Sequence, residues 1–206
     1  MSDFCTRKQK VCDLFDEIRA MRLMPYDYWR SYLEEAVYCY HEQRNIACIL
    51  TSSATVETLL FWEYLRRNRE LITRKLKESG KGAVSFSTLA RKEEILSLAK
   101  LFDKLRNTEI PLKLLLDDHE LESFKNMATM EDKARRKAIN SLSFISIRNK
   151  FAHGSIFDVV GQVIVKRLLR TGLTFEALGL TSEELEEMAY RQLTKCLLFM
   201  RGLSAK

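Results

Sequence analysis

Ile147-Arg148-Asn149-Lys150-Phe151-Ala152-His153-Gly154-Ser155 is the stretch on which the reading of this chain turns. It closes a pattern that begins near Glu131, in which Ala134, Ala138, Ile139, Leu142, Ile145 and Phe151 recur every three or four positions. That spacing marks an amphipathic helix. Gly154 accepts positive φ, so the helix is expected to stop at or just after His153. Asn149 and His153 lie four apart and share a face. Arg148 and His153 lie about 140° apart around the axis, so both can flank one cleft. A histidine in a last turn also feels the negative end of the helix dipole, which favours its protonated form. An arginine and a histidine so placed often do no more than cap carbonyls.

Composition narrows the class. Two prolines and seven glycines in 206 residues leave few breaks and favour an all-α chain. A content of 46% hydrophobic and 30% charged residues is that of a soluble globule with a real core. No apolar run approaches the length of a membrane span, and the N-terminus lacks a signal-peptide core, so no membrane partner and a cytoplasmic location are expected. Five cysteines, an odd number without a C-x-x-C pair, argue against a disulfide framework and a zinc site. The three histidines form no metal-ligand motif. No metal and no cofactor are expected. A net charge of +6 permits an acidic partner such as RNA without demanding one.

In chain order, Val11–Met24 reads as a first helix broken by Pro25, and Asp27 caps a second through about Glu42. The second is rich in aromatics (Tyr26, Tyr28, Trp29, Tyr32, Tyr38, Tyr40). With Arg30 and Arg44 nearby these could stack bases, but packing is the better reading. Asn45 is the expected cap of a long helix ending before Gly80, with Ile46, Ile49, Leu50, Ser53, Val56, Glu57, Leu60, Phe61 and Tyr64 on its buried stripe. Glu57 either pairs with a cation there, for which Arg148 is a candidate, or reaches water at the stripe's edge. The basic run after Tyr64 reads as a solvated face. Ser87 resembles a cap for Thr88–Arg106, Pro111 opens a short helix through about Leu116, and another covers Asp118–Met127. His119 lies there among Asp117, Asp118 and Glu120, but successive helical residues are not expected to converge on a cation. Residues 157–170 fit helix or strand, with helix from Asp158 preferred. Thr181 or Ser182 with Glu184 opens a last helix to about Arg201.

Arg-Asn-x-x-x-His followed by Gly at the end of a long amphipathic helix resembles the HEPN superfamily signature, an arginine and a histidine with four to six residues between them. Ala47–Tyr64, ACILTSSATVETLLFWEY, is similar to the long early helix of that family, which carries an acidic residue in its apolar face. The resemblance spans Asn45 to Leu203. It implies an antiparallel HEPN-like helical bundle over 45–206, with residues 1–44 as an N-terminal helical extension packed on it. It also implies a homodimer in which two such motifs line one groove and cut RNA to 2′,3′-cyclic phosphate and 5′-OH ends. Toxin–antitoxin and phage-defence settings follow from the resemblance, with a cognate antitoxin or regulatory protein as a further partner. Ser155 stands where relatives controlled by modification often carry tyrosine, so that control is not implied.

The residue types suit metal-independent RNA cleavage. Histidine, as at position 153, has the intrinsic pKa suited to proton transfer near neutrality, while Arg148 is permanently charged and can grip two phosphate oxygens. Asn149 can orient the imidazole or hold the phosphate, and Glu57 and Lys150 are supporting charges. Lys133, Arg135, Arg136 and Lys137, on the first turns of the same helical pattern, form a candidate RNA-phosphate patch. The competing expectation is a non-catalytic dimeric regulatory or binding module, similar to the mannitol-repressor group, in which Arg148 and His153 are structural caps.

Overall fold

The computed structural model describes residues 2–20, 28–78, 97–152 and 181–204. Every regular element among them is helical, as the sparse prolines and glycines predict. The α-helices are α1 (Ser2–Arg19), α2 (Tyr28–His41), α3 (Asn45–Arg67), α4 (Arg69–Glu78), α5 (Leu98–Leu105), α6 (Asp118–Asn126), α7 (Asp132–Asn140), α8 (Ser143–Ala152) and α9 (Ser182–Ser204). Short 3-10 turns cover Leu112–Leu115 and Met127–Thr129.

The centre of the molecule is α3. Its small and apolar residues, Cys48, Ile49, Ser52, Val56, Leu59 and Leu60, are all buried. It packs most extensively against α2 and α9, and also meets α5 and α8. By length and composition alone α3 could cross a membrane, contrary to the expectation from the sequence. Half of its apolar window, however, is buried inside the protein. Of the stripe read from the sequence, Ile49, Ser53, Val56, Leu60, Phe61 and Tyr64 are buried, Leu50 and Glu57 are partly buried, and Ile46 is exposed. From the N-terminal segment Val11, Ile18, Trp29, Leu33 and Tyr40 enter the same core as Leu193, Leu197 and Phe199 of α9.

Polar ties fix the helices laterally. The buried Gln192 amide of α9 donates to Ser53 Oγ on α3 and to the Phe144 carbonyl on α8, each at 3.0 Å. Ser53 in turn donates to Ile49 O. At the other face of α9, Glu186 accepts from Tyr40 Oη (2.7 Å) and Arg7 (3.1 Å), and Arg7 also reaches Glu187. Burial, then the Glu186 carboxylate, keeps the Tyr40 phenol far above its ordinary pKa and so protonated as the donor. Trp29 and Tyr40 are core residues while Tyr32 and Tyr38 are exposed, so packing accounts for half of the described aromatics of α2. Gly202 lets α9 approach the first 3-10 turn, where a Cβ would come within 2.6 Å of Leu114 Cδ1.

The helix limits depart from the sequence reading at identifiable places. α1 begins near the N-terminus rather than at Val11 and ends at Arg19. Asn45 is the first helical residue of α3, not its cap; Arg44 holds the cap position and makes no side-chain cap bond. The long helix expected to run to Gly80 breaks at Asn68, whose side chain and backbone N–H both return to Tyr64 O. Of the helix expected over Thr88–Arg106, residues 88–96 lie outside the described residues; the described part starts as α5 after Ser97, which is extended and caps it by accepting Lys100 N. The single helix expected from Glu131 through Phe151 is two, α7 and α8, parted at Ser141–Leu142. Ser141 Oγ bonds back to Ala138 O, and the Glu120 carboxylate accepts Ser143 N and Oγ, giving α8 an N-terminus of its own. The opening of α9 agrees with the sequence: Thr181 Oγ1 accepts Glu184 N and Glu184 accepts Thr181 N. The helix-or-strand question at 157–170 and the expected break at Pro25 lie outside the described residues.

Two stability outcomes follow. Gln43, between α2 and α3, has φ of 57°, the left-handed region that disfavours a Cβ. Gln43→Gly should therefore raise stability by about 0.5–1 kcal/mol in urea unfolding; a loss would show that the Gln43 side chain contributes more than its backbone costs. Gln192→Ala strips the donor from Phe144 O and opens a cavity, and should cost about 2–4 kcal/mol. A cost under about 1 kcal/mol would remove this amide from among the ties that matter.

Candidate active site

Arg148 stands in α8, which Glu120 anchors at its start and Gln192 at Phe144. With Phe144, Ile145 and Phe151 buried, the register of α8 is set. That register turns Arg148 toward α3. Its Nη2 meets Glu57 Oε2 at 2.7 Å, and Nη1 donates to Asn149 Oδ1 at 3.1 Å. The arginine side chain is 21% exposed and the glutamate 25%, so the pair sits at the rim of the core. Both alternatives for Glu57 thus hold in part: it pairs with Arg148, and it reaches solvent.

The pair is chemically informative. A guanidinium has five N–H donors, and Glu57 and Asn149 take two bonds from it. The rest of the fork makes no hydrogen bond to another described residue. It is therefore a cation held in one orientation with capacity for a further acceptor. His153 and the side chain of Lys150 lie outside the described residues, so the site described is Glu57, Arg148 and Asn149.

The basic patch on α7 divides. Lys133, Arg136 and Lys137 are exposed. Arg135 is turned inward instead: its Nε meets Asp103 Oδ1 at 2.8 Å, Nη1 donates to Met130 O at 3.0 Å, and Nη2 meets Asp132. It ties α7 to α5 and is not a free phosphate ligand, in contrast to the expectation from the sequence. Sequence spacing alone could not separate it from its neighbours, because Asp103 lies on another helix.

Other groups met along the chain resolve into structural roles. Asp117, His119 and Glu120 bring ligand atoms within 4.8 Å of one another, so these near-successive residues do converge, contrary to expectation. Their carboxylates are already committed. Glu120 accepts Asp117 N, Ser143 N and Ser143 Oγ, and Asp117 pairs with Lys195 at 2.8 Å. Burial raises the Asp117 carboxyl pKa, but hydrogen bonds from Lys195 and Ser143 outweigh it and hold it below the ordinary value. All five cysteines are free thiols. Burial pushes Cys48 up to about 12, which keeps it protonated and unreactive. Cys12 Sγ lies 3.3 Å from His41 Nε2.

A double-mutant cycle with Glu57→Gln and Arg148→Ala should give a coupling of about 0.5–1 kcal/mol, the size fitting a pair at the rim of the core. Additive effects would mean that Glu57 does not hold Arg148 in solution. Comparison with known protein families, with curated proteins and with solved structures finds no match to this chain.

Proposed function

We propose that this protein is a metal-independent endoribonuclease of HEPN type, acting as a homodimer in the cytoplasm as a toxin or phage-defence effector. The observation that supports it is the state of Arg148: oriented by Glu57 and Asn149, yet at the surface with donors to spare. Cleavage without metal needs a cation fixed in advance against the pentavalent phosphorane, because a pre-oriented charge spends no energy reorganising as charge develops. Arg148 suits that role. One imidazole would take the proton of the ribose 2′-OH as the 2′-oxygen bonds to phosphorus. A second would give a proton to the 5′-oxygen as its bond to phosphorus breaks. His153 is the residue type for both steps, supplied once by each subunit across a shared groove. The products carry 2′,3′-cyclic phosphate and 5′-OH ends. Asn149, one turn before His153, would orient the ring or the phosphate.

A second reading has its own support. The Glu57–Arg148 pair is also what a structural tie between α3 and α8 looks like, and a non-catalytic dimeric regulatory or binding module would need no more.

Incubation of the purified protein with mixed RNAs in EDTA separates the two. The nuclease reading expects cleavage with cyclic-phosphate ends, lowered about 10²- to 10⁴-fold by His153→Ala and by Arg148→Ala while circular dichroism stays unchanged. Undiminished cleavage in either variant sinks the proposed mechanism. An inert, well-folded wild type moves the assignment to the binding module.

A further inference from the structure

Between α5 and α7 lies a pocket of about 430 Å³, a size common among small-molecule sites. Its walls carry five cations and two carboxylates. The carboxylates are spent inside the wall: Asp103 pairs with Arg106 and Arg135, and Asp132 with Arg135. Lys100, Lys104 and Arg136 remain, and none pairs with a carboxylate among the described residues. The pocket therefore has a surplus of three positive charges.

Such a surplus in a concavity favours an anion there. Like charges repel, and low-dielectric walls focus their field into the opening. The chemistry of the three cations narrows the ligand. Two ammonium groups act as compact point charges and one guanidinium as a planar fork, a combination suited to phosphate oxygens. The pocket is too roomy for one phosphate, and its walls include Ala99 and Ile139 besides the charges. We infer that the α5–α7 pocket binds an oligophosphate ligand, two or more linked phosphates whose charge matches the three free cations. The inference goes beyond the nuclease reading: the site uses neither Arg148 nor His153 and would be filled whether or not RNA is cut.

The test is direct binding of tripolyphosphate, by calorimetry at low salt, to the full chain. Wild type should bind, with affinity falling as salt rises. Lys104→Glu with Arg136→Glu changes the pocket surplus from three positive charges to one negative, and should weaken binding by at least about tenfold. Lys133→Glu with Lys137→Glu makes the same change in net charge at residues that do not line the pocket, and should stay within about twofold of wild type. Lys104→Gln with Arg136→Gln provides a milder neutralisation should the reversal unfold the chain, and should also weaken binding. ATP run alongside identifies the source. Tighter binding than tripolyphosphate assigns a nucleotide that also uses the apolar wall, and equal binding assigns the phosphates alone. The inference is overturned if wild type does not bind tripolyphosphate. Equal weakening by the two charge reversals, or none by either, overturns it too. Binding of a 5′-hydroxyl oligoribonucleotide in place of tripolyphosphate does the same, since the basic groups would then serve an RNA backbone. No arm reads cleavage, so failure here leaves the nuclease reading standing, and failure of that reading leaves the pocket.

Discussion

The amide of Gln192 sits where three helices meet, and the candidate site depends on it. α9 supplies the amide, α3 the hydroxyl of Ser53, and α8 the carbonyl of Phe144. Apolar packing alone would allow these helices to slide past one another, since hydrophobic contact has no direction. A buried amide has direction, and an unmet donor or acceptor there costs about 1–3 kcal/mol. The bond to Phe144 O therefore fixes the height of α8 against α3. Arg148 is four residues, about one helical turn, beyond Phe144. Its approach to Glu57 is set by the same tie.

Glu120 fixes the other coordinate of α8. By accepting both Ser143 N and Ser143 Oγ, it begins the helix at a defined residue. This explains why the periodicity from Glu131 to Phe151, read as one helix, is two. Apolar spacing carries across a break when both pieces face the same core, so periodicity cannot reveal the break. The capping partner is distant in sequence, which hides it from local reading. The Asn68 break has a local cause, a polar side chain competing for the Tyr64 carbonyl, which apolar spacing does not register either. The pairing of Thr181 with Glu184, a capping box within one turn, let the helix start be read to within a residue.

The candidate site was legible in one respect and hidden in another. A carboxylate in an apolar stripe calls for a partner, which made Arg148 a candidate for Glu57 beside the alternative that Glu57 reaches water, and the structure keeps part of each. The basic residues of α7 made no comparable demand. Lysines and arginines occur singly on most helix faces, and only the position of Asp103 on α5 distinguishes Arg135 from Arg136. The α5–α7 pocket was hidden for the same reason, because it forms from two segments that are each ordinary.

Comparing the arginines separates cations that hold the fold from cations that can meet a ligand. Arg135 is bonded from its Nε and from both terminal nitrogens, to Asp103, Met130 O and Asp132. Three of its five donors are spent and two carboxylates already offset its charge, so a phosphate would compete with a tie between α5 and α7. Arg148 is bonded from its two terminal nitrogens alone, one bond each, to one carboxylate and one neutral amide oxygen. Each terminal nitrogen carries two protons, so the fork keeps donors for a second anion while Glu57 holds its direction. Glu57 also opposes part of the positive charge, which limits how strongly Arg148 attracts an anion from afar. At contact distance the balance shifts, because two phosphate oxygens facing the remaining donors make charge-assisted bonds that a diffuse field does not. An arginine so arranged discriminates by geometry more than by attraction, which is what the proposed role against a phosphorane would require.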